Sequence, residues 1–253
     1  AMDVSFYGRE VSTEAPAEDF LFIAIPDTQS NAQYNNTVLQ AQFDWIENRY
    51  VSPPAGQPDL VFVTHLGDLV NTATDATQWS NIDAAFDQLD PVGAPYSVGP
   101  GNHDLGTLYS TNFGNSRFTG KTWYQGYYTS GNDNYNNFSF FSAGGMDFIV
   151  INLQYQVTSG ALDWADALLK ANTTKRGIVV QHDILNLDNS WNNQAAYTAL
   201  SDNPNLFLML CGHMHSASDG SAYRLETRSG MQSVHVLLTD YQDLSGQDFL
   251  RLL

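Results

Sequence analysis

The stretch Leu60–Asn71, LVFVTHLGDLVN, decides the reading of this chain. Its first half is an apolar, β-branched run with the composition of a buried strand. Its second half turns at Gly67 and presents a carboxylate at Asp68. The same pattern, an apolar run followed by a short polar cluster, recurs four more times. Leu21–Pro26 leads into Asp27-Thr28-Gln29, and Tyr96–Val98 leads into Gly101-Asn102-His103-Asp104. Ile178–Gln181 leads into His182-Asp183, and Leu206–Cys211 leads into Gly212-His213-Met214-His215. Carboxylate, carboxamide and imidazole are the side chains that bind hard and borderline metal ions.

Helical periods lie between the strands. Leu39, Phe43, Ile46 and Tyr50 form one stripe, and Trp79, Ile82, Phe86 and Leu89 a second. Leu162, Ala165, Leu168 and Leu169 form a third, and a further helix is expected near Asn193–Leu200. Phe138–Phe141 and Phe148–Leu153 read as strands paired around Gly144-Gly145, and Ala222–Leu225 and Val234–Thr239 as the last strands. Strands alternating with helices predict an α/β fold with a parallel or mixed sheet. No repeat and no linker divides residues 1–253, so a single domain is expected. Phe249–Leu253 looks like an unfinished strand, which suggests that the natural protein continues. Thr107–Asn137 is rich in Tyr, Asn, Gly and Ser without a clear period, and is expected to be a lid or substrate loop.

In open α/β sheets, ligands bind beyond the carboxyl ends of the strands. All five clusters occupy that position, so their side chains are expected on one rim. Alone, each has an ordinary explanation, because Asp27 suits a helix cap and Gly-Asp or Gly-Asn a turn. Five in order make that explanation improbable.

Composition narrows the functions. The formal net charge is −17, from 10 Lys+Arg against 27 Asp+Glu. No basic cluster exists for nucleic acid or an anionic membrane. An anionic substrate would meet a repulsive field, so a phosphate site needs local positive charge, which bound dications supply. No apolar run spans a bilayer. The lone Cys211 forms no intrachain disulfide and reads as a buried thiol. The acidic, Lys-poor composition resembles exported bacterial proteins, so a secreted or periplasmic location is expected. A monomer is expected.

The motif set, D-x-Q, G-D-L-V-N, G-N-H-D, a lone His and G-H-x-H, resembles the calcineurin-like metallophosphoesterase superfamily, relatives of purple acid phosphatases and phosphodiesterases. The D-x-Q version is most similar to its exported bacterial branch. The resemblance covers about Leu21 to His215. It implies a four-layer α/β/β/α sandwich with two mixed sheets and the metal site at strand carboxyl ends. It also implies two transition-metal ions, Mn, Zn or Fe. One would be held by Asp27, Gln29 and His215, the other by Asn102, His182 and His213, with Asp68 bridging them. Asp68 and His103 would be catalytic. A metal-bridging hydroxide would attack phosphorus, and His103 would protonate the leaving oxygen.

Two positions depart from the commoner pattern. Gln29 stands where many relatives carry His, which implies a looser ion. Asn71 stands where phosphoprotein phosphatases carry an Asp that holds the catalytic His. Asp104 and Asp183 are expected to orient imidazoles. Tyr241-Gln242 lies near where relatives carry an Asn-Tyr-Gln stretch, and it either reaches the cleft or packs away from it. Tyr124, Tyr127 and Tyr128 either line a cleft or pack. His65 and His235 read as structural, and the Asn/Asp-rich stretches Gly131–Asn137 and Asn186–Asn193 as loops rather than calcium sites.

The expected function is metal-dependent hydrolysis of phosphate monoesters or diesters. One alternative is a non-catalytic polymer- or carbohydrate-binding domain that retains the fold. Another is a hydrolase of a phospholipid headgroup or a cell-wall phosphodiester. Substrate-contacting residues cannot be named from the sequence, because specificity resides in loop shape.

Overall fold

The computed structural model describes residues 18–243 and 249–253. Along the chain run β1 (Phe20–Ile25), α1 (Gln29–Tyr34), α2 (Asn36–Val51), β2 (Asp59–His65), α3 (Ala76–Phe86), α4 (Leu89–Val92) and β3 (Tyr96–Val98). Then come α5 (Thr107–Phe113), α6 (Asn115–Phe118), β4 (Tyr124–Tyr127), β5 (Asn137–Ala143), β6 (Met146–Leu153) and α7 (Ser159–Ala171). The last are β7 (Arg176–Gln181), α8 (Ala195–Leu200), β8 (Leu206–Cys211), β9 (Ser221–Glu226), β10 (Val234–Thr239) and β11 (Arg251–Leu252).

They form two sheets, a four-stranded one in the order β11-β1-β2-β3 and a seven-stranded one in the order β4-β5-β6-β7-β8-β10-β9. Both are mixed. In the first, β1, β2 and β3 are parallel and β11 runs antiparallel to β1. In the second, β6, β7, β8 and β10 are parallel, while β4, β5 and β9 run antiparallel to their neighbours.

Strand periodicity sorts the apolar side chains into layers. On β6, Phe148 and Val150 face the first sheet, while Ile149, Ile151 and Leu153 face the opposite way. Between the sheets the core is aromatic. Phe141 stacks on Phe148 at 4.6 Å and on Phe62 at 4.9 Å. Leu39, Phe43 and Ile46 of α2, with Trp79, Ile82 and Phe86 of α3, cover the outer face of the small sheet. Ala161, Ala165 and Leu169 of α7, with Ala196 and Leu200 of α8, cover the outer face of the large one. The result is α/β/β/α.

Caps explain two helix starts. The Asp75 carboxylate accepts the Thr77 N–H at 2.9 Å before α3, and the Thr158 hydroxyl accepts the Ala161 N–H at 3.3 Å before α7.

The segment 107–137, expected to be irregular, carries α5, α6 and β4. Its helices have 7 and 4 residues, too short to print a period. Tyr109, Phe113 and Phe118 are buried in the inter-helix core, and Trp123 donates its indole N–H to the Tyr96 carbonyl at 2.9 Å. Tyr124 packs on Phe118, and Tyr128 on Trp164. A strand is found within the stretch 249–253: β11, at the edge of the small sheet. Among the described residues no helix is long and apolar enough to cross a membrane.

Candidate metal centre

All the parallel strands of both sheets end on one rim. There Asp27 follows β1, Asp68 follows β2, Asn102 follows β3, His182 follows β7 and His213 follows β8. The turns are cut to let these side chains meet. A Cβ on Gly101 would stand 2.2 Å from Asp68 Oδ1, and one on Gly212 would stand 2.1 Å from Asp27 Oδ1. No side chain fits at either position, so each Gly admits a carboxylate from another loop. Asp68 and His213 themselves have φ of 52° and 74°, in the left-handed region. That conformation costs energy for a non-glycine residue and concentrates at functional sites.

His182 lies at the centre. Its Nδ1 is 2.9 Å from the Leu66 carbonyl, which can only accept, so Nδ1 carries the hydrogen. Around Nε2 stand Asp68 Oδ2 at 3.1 Å, Asn102 Oδ1 at 3.1 Å and Asp27 Oδ2 at 3.8 Å. Asp68, His182 and His213 place ligand atoms within 4.8 Å of one another. The His182 and His213 rings are edge-on at 4.9 Å, and Tyr155 packs on His213 at 5.8 Å.

The electrostatics follow from this crowding. Burial lifts the Asp27 carboxyl well above its usual range, and Asp240 and Asp68 add to the rise. Burial also opposes charge on Asp68 and on His182. Their mutual attraction outweighs it, holding the Asp68 carboxyl low and raising the His182 imidazole. Burial, then His182, lowers His213.

These residues fit a cation. One imidazole lone pair and three oxygens converge on a buried volume. Gln29 is 8% exposed, and its Oε1 has no hydrogen-bond partner while its Nε2–H donates to Gln242 Oε1 at 2.9 Å. A buried carboxamide oxygen without a donor is costly unless something positive faces it. Oxygen and imidazole donors together suit Zn, Mn or Fe. His215 stands at the edge, its side chain 32% exposed, with Nδ1 2.8 Å from Asp243 Oδ2. That contact leaves Nε2 as its available nitrogen.

A family model for the calcineurin-like phosphoesterases matches residues 20–217. The chain belongs to that family. It is 30% identical over 260 residues to the uncharacterized protein YvnB of Bacillus subtilis (strain 168), covering 94% of this chain and 19% of that protein. The chain therefore spans about a fifth of the length of this curated relative. One solved crystal structure is similar with a TM-score of 0.50 at 12% identity, covering 94% of this chain and 99% of that one. The sulfate thiohydrolase SoxB of Thermus thermophilus, in complex with glycerol, is similar with a TM-score of 0.46 at 12% identity, covering 95% and 57%.

Several residues of this calcineurin-like phosphoesterase sit otherwise than expected. Among the described residues Asp104 makes no hydrogen bond to an imidazole. Its carboxylate accepts the N–H groups of Gly101, Leu69 and Val70 at 2.8, 3.2 and 3.1 Å, and so braces two motif loops together. Burial, then Asp68, pushes this carboxyl up to about 7. Asp183 likewise holds Gln181 Nε2–H at 3.0 Å and Asn193 Nδ2–H at 3.1 Å. Asn71 turns its side chain to Gln33, while its backbone carbonyl accepts from His103 Nδ1 at 2.8 Å. The His103 N–H in turn donates to Asp68 Oδ1 at 2.9 Å.

His65 is fully buried. Its Nδ1 accepts the Gly67 N–H at 3.1 Å, so its Nε2–H donates to the Thr28 hydroxyl at 3.0 Å. Burial lowers its pKa to about 3. His235, on β10, lies 3.0 Å from the Tyr223 hydroxyl. Cys211 is buried, which pushes its thiol to about 12.

The sequence reading missed Asp240 and Asp243. Asp240 follows β10, another parallel strand, and is buried beside Asp27. The strand-end rule pointed there, and of the neighbouring pair Tyr241-Gln242, left open in the sequence, Gln242 reaches the site through Gln29.

Proposed function

We propose that the chain hydrolyses phosphate esters, monoesters or diesters, at a centre holding two ions of the Mn, Zn or Fe type. Asp27, Gln29 and His215 would hold one, Asn102, His182 and His213 the other, with Asp68 shared. Such a pair supplies positive charge to the phosphate and makes water acidic enough to yield a nucleophile near neutral pH. The observation that carries this reading is the convergence of acceptor-only atoms on His182 Nε2, together with the unpartnered Gln29 oxygen.

The side chains around the centre have distinct tasks. Asp68 puts negative charge where two dications would repel. The Asn71 carbonyl occupies His103 Nδ1, which leaves Nε2 to deliver a proton to the leaving oxygen. The Leu66 carbonyl fixes the His182 ring so that only Nε2 faces the centre. A cleft of about 440 Å³, lined by Leu105, Gly106, Thr107, Ser110, Asn132, Tyr135 and Gln154, opens two residues beyond His103. It is the seat we assign to the leaving group, which makes the ordered segment 107–137 a substrate wall.

Elemental analysis and a substrate panel test this. Protein loaded with Mn, Zn or Fe is expected to retain close to two ions per chain. It is expected to hydrolyse aryl phosphates, bis-aryl phosphates or glycerophosphodiesters, and chelation is expected to abolish turnover. Absence of bound metal under every loading condition would overturn the proposal, as would full activity after chelation.

A further inference from the structure

Four consecutive residues after β10 contact all three residues assigned above to one metal position. Asp240 is fully buried and shares a side-chain hydrogen bond with Asp27. Gln242 Oε1 accepts from Gln29 Nε2 at 2.9 Å and from the Ser30 hydroxyl at 3.3 Å. Asp243 Oδ2 accepts from His215 Nδ1 at 2.8 Å. The segment is itself anchored, because the Asp240 N–H donates to the Gly220 carbonyl at 2.8 Å. A Cβ on Gly220 would stand 2.0 Å from the Asp240 carbonyl, so that approach needs a glycine.

The contacts have a direction. A carboxamide has a donor end and an acceptor end of nearly equal shape, and its neighbours choose between them. Asp240 accepts the Gln242 backbone N–H through Oδ1 and the Gln242 Nε2–H through Oδ2, both at 3.2 Å. That turns Gln242 Oε1 towards Gln29. Gln29 must then offer its Nε2–H to Gln242, which leaves its Oε1 as the buried end without a partner. Reversing either amide would point an NH2 group at the proposed ion position. In the same way Asp243 occupies His215 Nδ1, which leaves Nε2 as the nitrogen that can serve an ion. His182, assigned to the other position, is held differently, by the Leu66 carbonyl.

We infer that Asp240–Asp243 is the positioning segment of one metal position only, with Gln242 aiming the Gln29 oxygen and Asp243 aiming the His215 nitrogen at the same ion. This rests on the two-ion reading above. It explains how a weak carboxamide donor serves at a place where imidazole is the commoner choice: the donor arrives already oriented. Partners behind metal ligands commonly contribute 10–100-fold in affinity.

The test is calorimetric titration of metal-free protein with Mn2+ and with Zn2+, comparing the wild type with Gln242→Met and Asp243→Asn. Met keeps the length of Gln and removes its three side-chain hydrogen bonds. The wild type is expected to show two binding steps. Each variant is expected to weaken one step by about 10–100-fold and leave the other within about twofold. In a Gln29→Ala background Gln242→Met is expected to have no further effect, because the group it positions is gone. A merely structural Gln242 would instead weaken both steps or add its effect to that of Gln29→Ala, and either result overturns the inference. So does an unchanged titration in both variants. If Gln242→Met fails to fold by near-UV circular dichroism, Asp243→Asn carries the same prediction from a half-exposed position. A wild type that binds no metal overturns the two-ion reading, and this inference with it.

Discussion

The two halves of the proposed metal centre are built on different plans. On one side, Asn102, His182 and His213 come straight from strand ends and are already within reach of one another. On the other, Asp27, Gln29 and His215 each lean on a residue of the 240–243 segment. The first half offers two imidazoles. The second has one imidazole, a carboxylate and a carboxamide. A borderline dication prefers nitrogen donors, so the first half is expected to be the tighter position and the second the exchangeable one. Asp68 is proposed to serve both, which makes it the place where the comparison is easiest to break.

Asp68→Asn is expected to have the largest effect. The carboxylate sits 3.1 Å from His182 Nε2 and also accepts the His103 N–H. An amide keeps the size and loses the charge, so two dications would face each other with less between them. Expected is loss of one or both ions on elemental analysis and turnover at background. A variant with two ions and wild-type kcat would remove Asp68 from the bridge and detach the two halves from each other.

His103→Ala is next, and it separates proton delivery from metal binding. The ring touches the Asn71 carbonyl and no metal ligand through its nitrogens, while the backbone N–H, which alanine keeps, holds Asp68. Both ions should stay. Turnover is expected to fall by about 10²–10⁴-fold, as for loss of a general acid. The fall should be larger for an alkyl ester than for nitrophenolate, which leaves without a proton. Equal losses on both substrates would reassign His103 to charge stabilisation, and loss of an ion would make it a ligand.

Proton competition sharpens the comparison further. In the metal-free chain, burial and then Asp240 and Asp68 raise Asp27, while Asp68, against burial, raises His182. Raised groups hold protons that an incoming ion must displace, so affinity falls as pH falls. The drop is about tenfold per pH unit for each proton displaced. Calorimetry in buffers of different ionisation enthalpy counts those protons. Binding that is independent of pH from 5 to 8 would mean that the ligands are already deprotonated.

What was legible in the sequence follows the same division. Asp27, Asp68, Asn102, His182 and His213 stood out because a metal-binding side chain directly followed an apolar run. The strand before Asp240 was equally readable, and the resemblance at Tyr241-Gln242 left open whether that stretch reaches the cleft; only the folded chain brings it to Asp27 and Gln29. Asp104 and Asp183 misled for the opposite reason. They adjoin His103 and His182 in sequence, yet consecutive residues in a tight turn point apart, and their carboxylates go to N–H groups instead of imidazoles. Helices α1, α5 and α6 have 6, 7 and 4 residues, less than the two turns a periodic stripe needs to declare itself.

The smallest effect on the centre is expected from His65, which lies beneath both halves without touching an ion position. It ties the Asp27 loop to the Asp68 loop through Thr28 and Gly67. Burial, then His182, lowers its pKa to about 3, against 6.5 in the unfolded chain. The folded state therefore refuses a proton that the unfolded state accepts between pH 6.5 and 3. The sign is fixed by that: stability is intact above pH 6.5 and declines as pH falls below it. At pH 5 the loss is about 2 kcal/mol by linkage. His65→Gln keeps an acceptor for the Gly67 N–H and a donor for Thr28 but cannot titrate. Urea unfolding of the metal-free proteins at pH 7 and pH 5 should show the stability gap between wild type and variant shifting by about that 2 kcal/mol in favour of the variant at pH 5. Metal stoichiometry at pH 7 should be unchanged. A gap that does not move with pH would mean that His65 takes up its proton inside the fold, and that the two loops are not locked around a neutral ring.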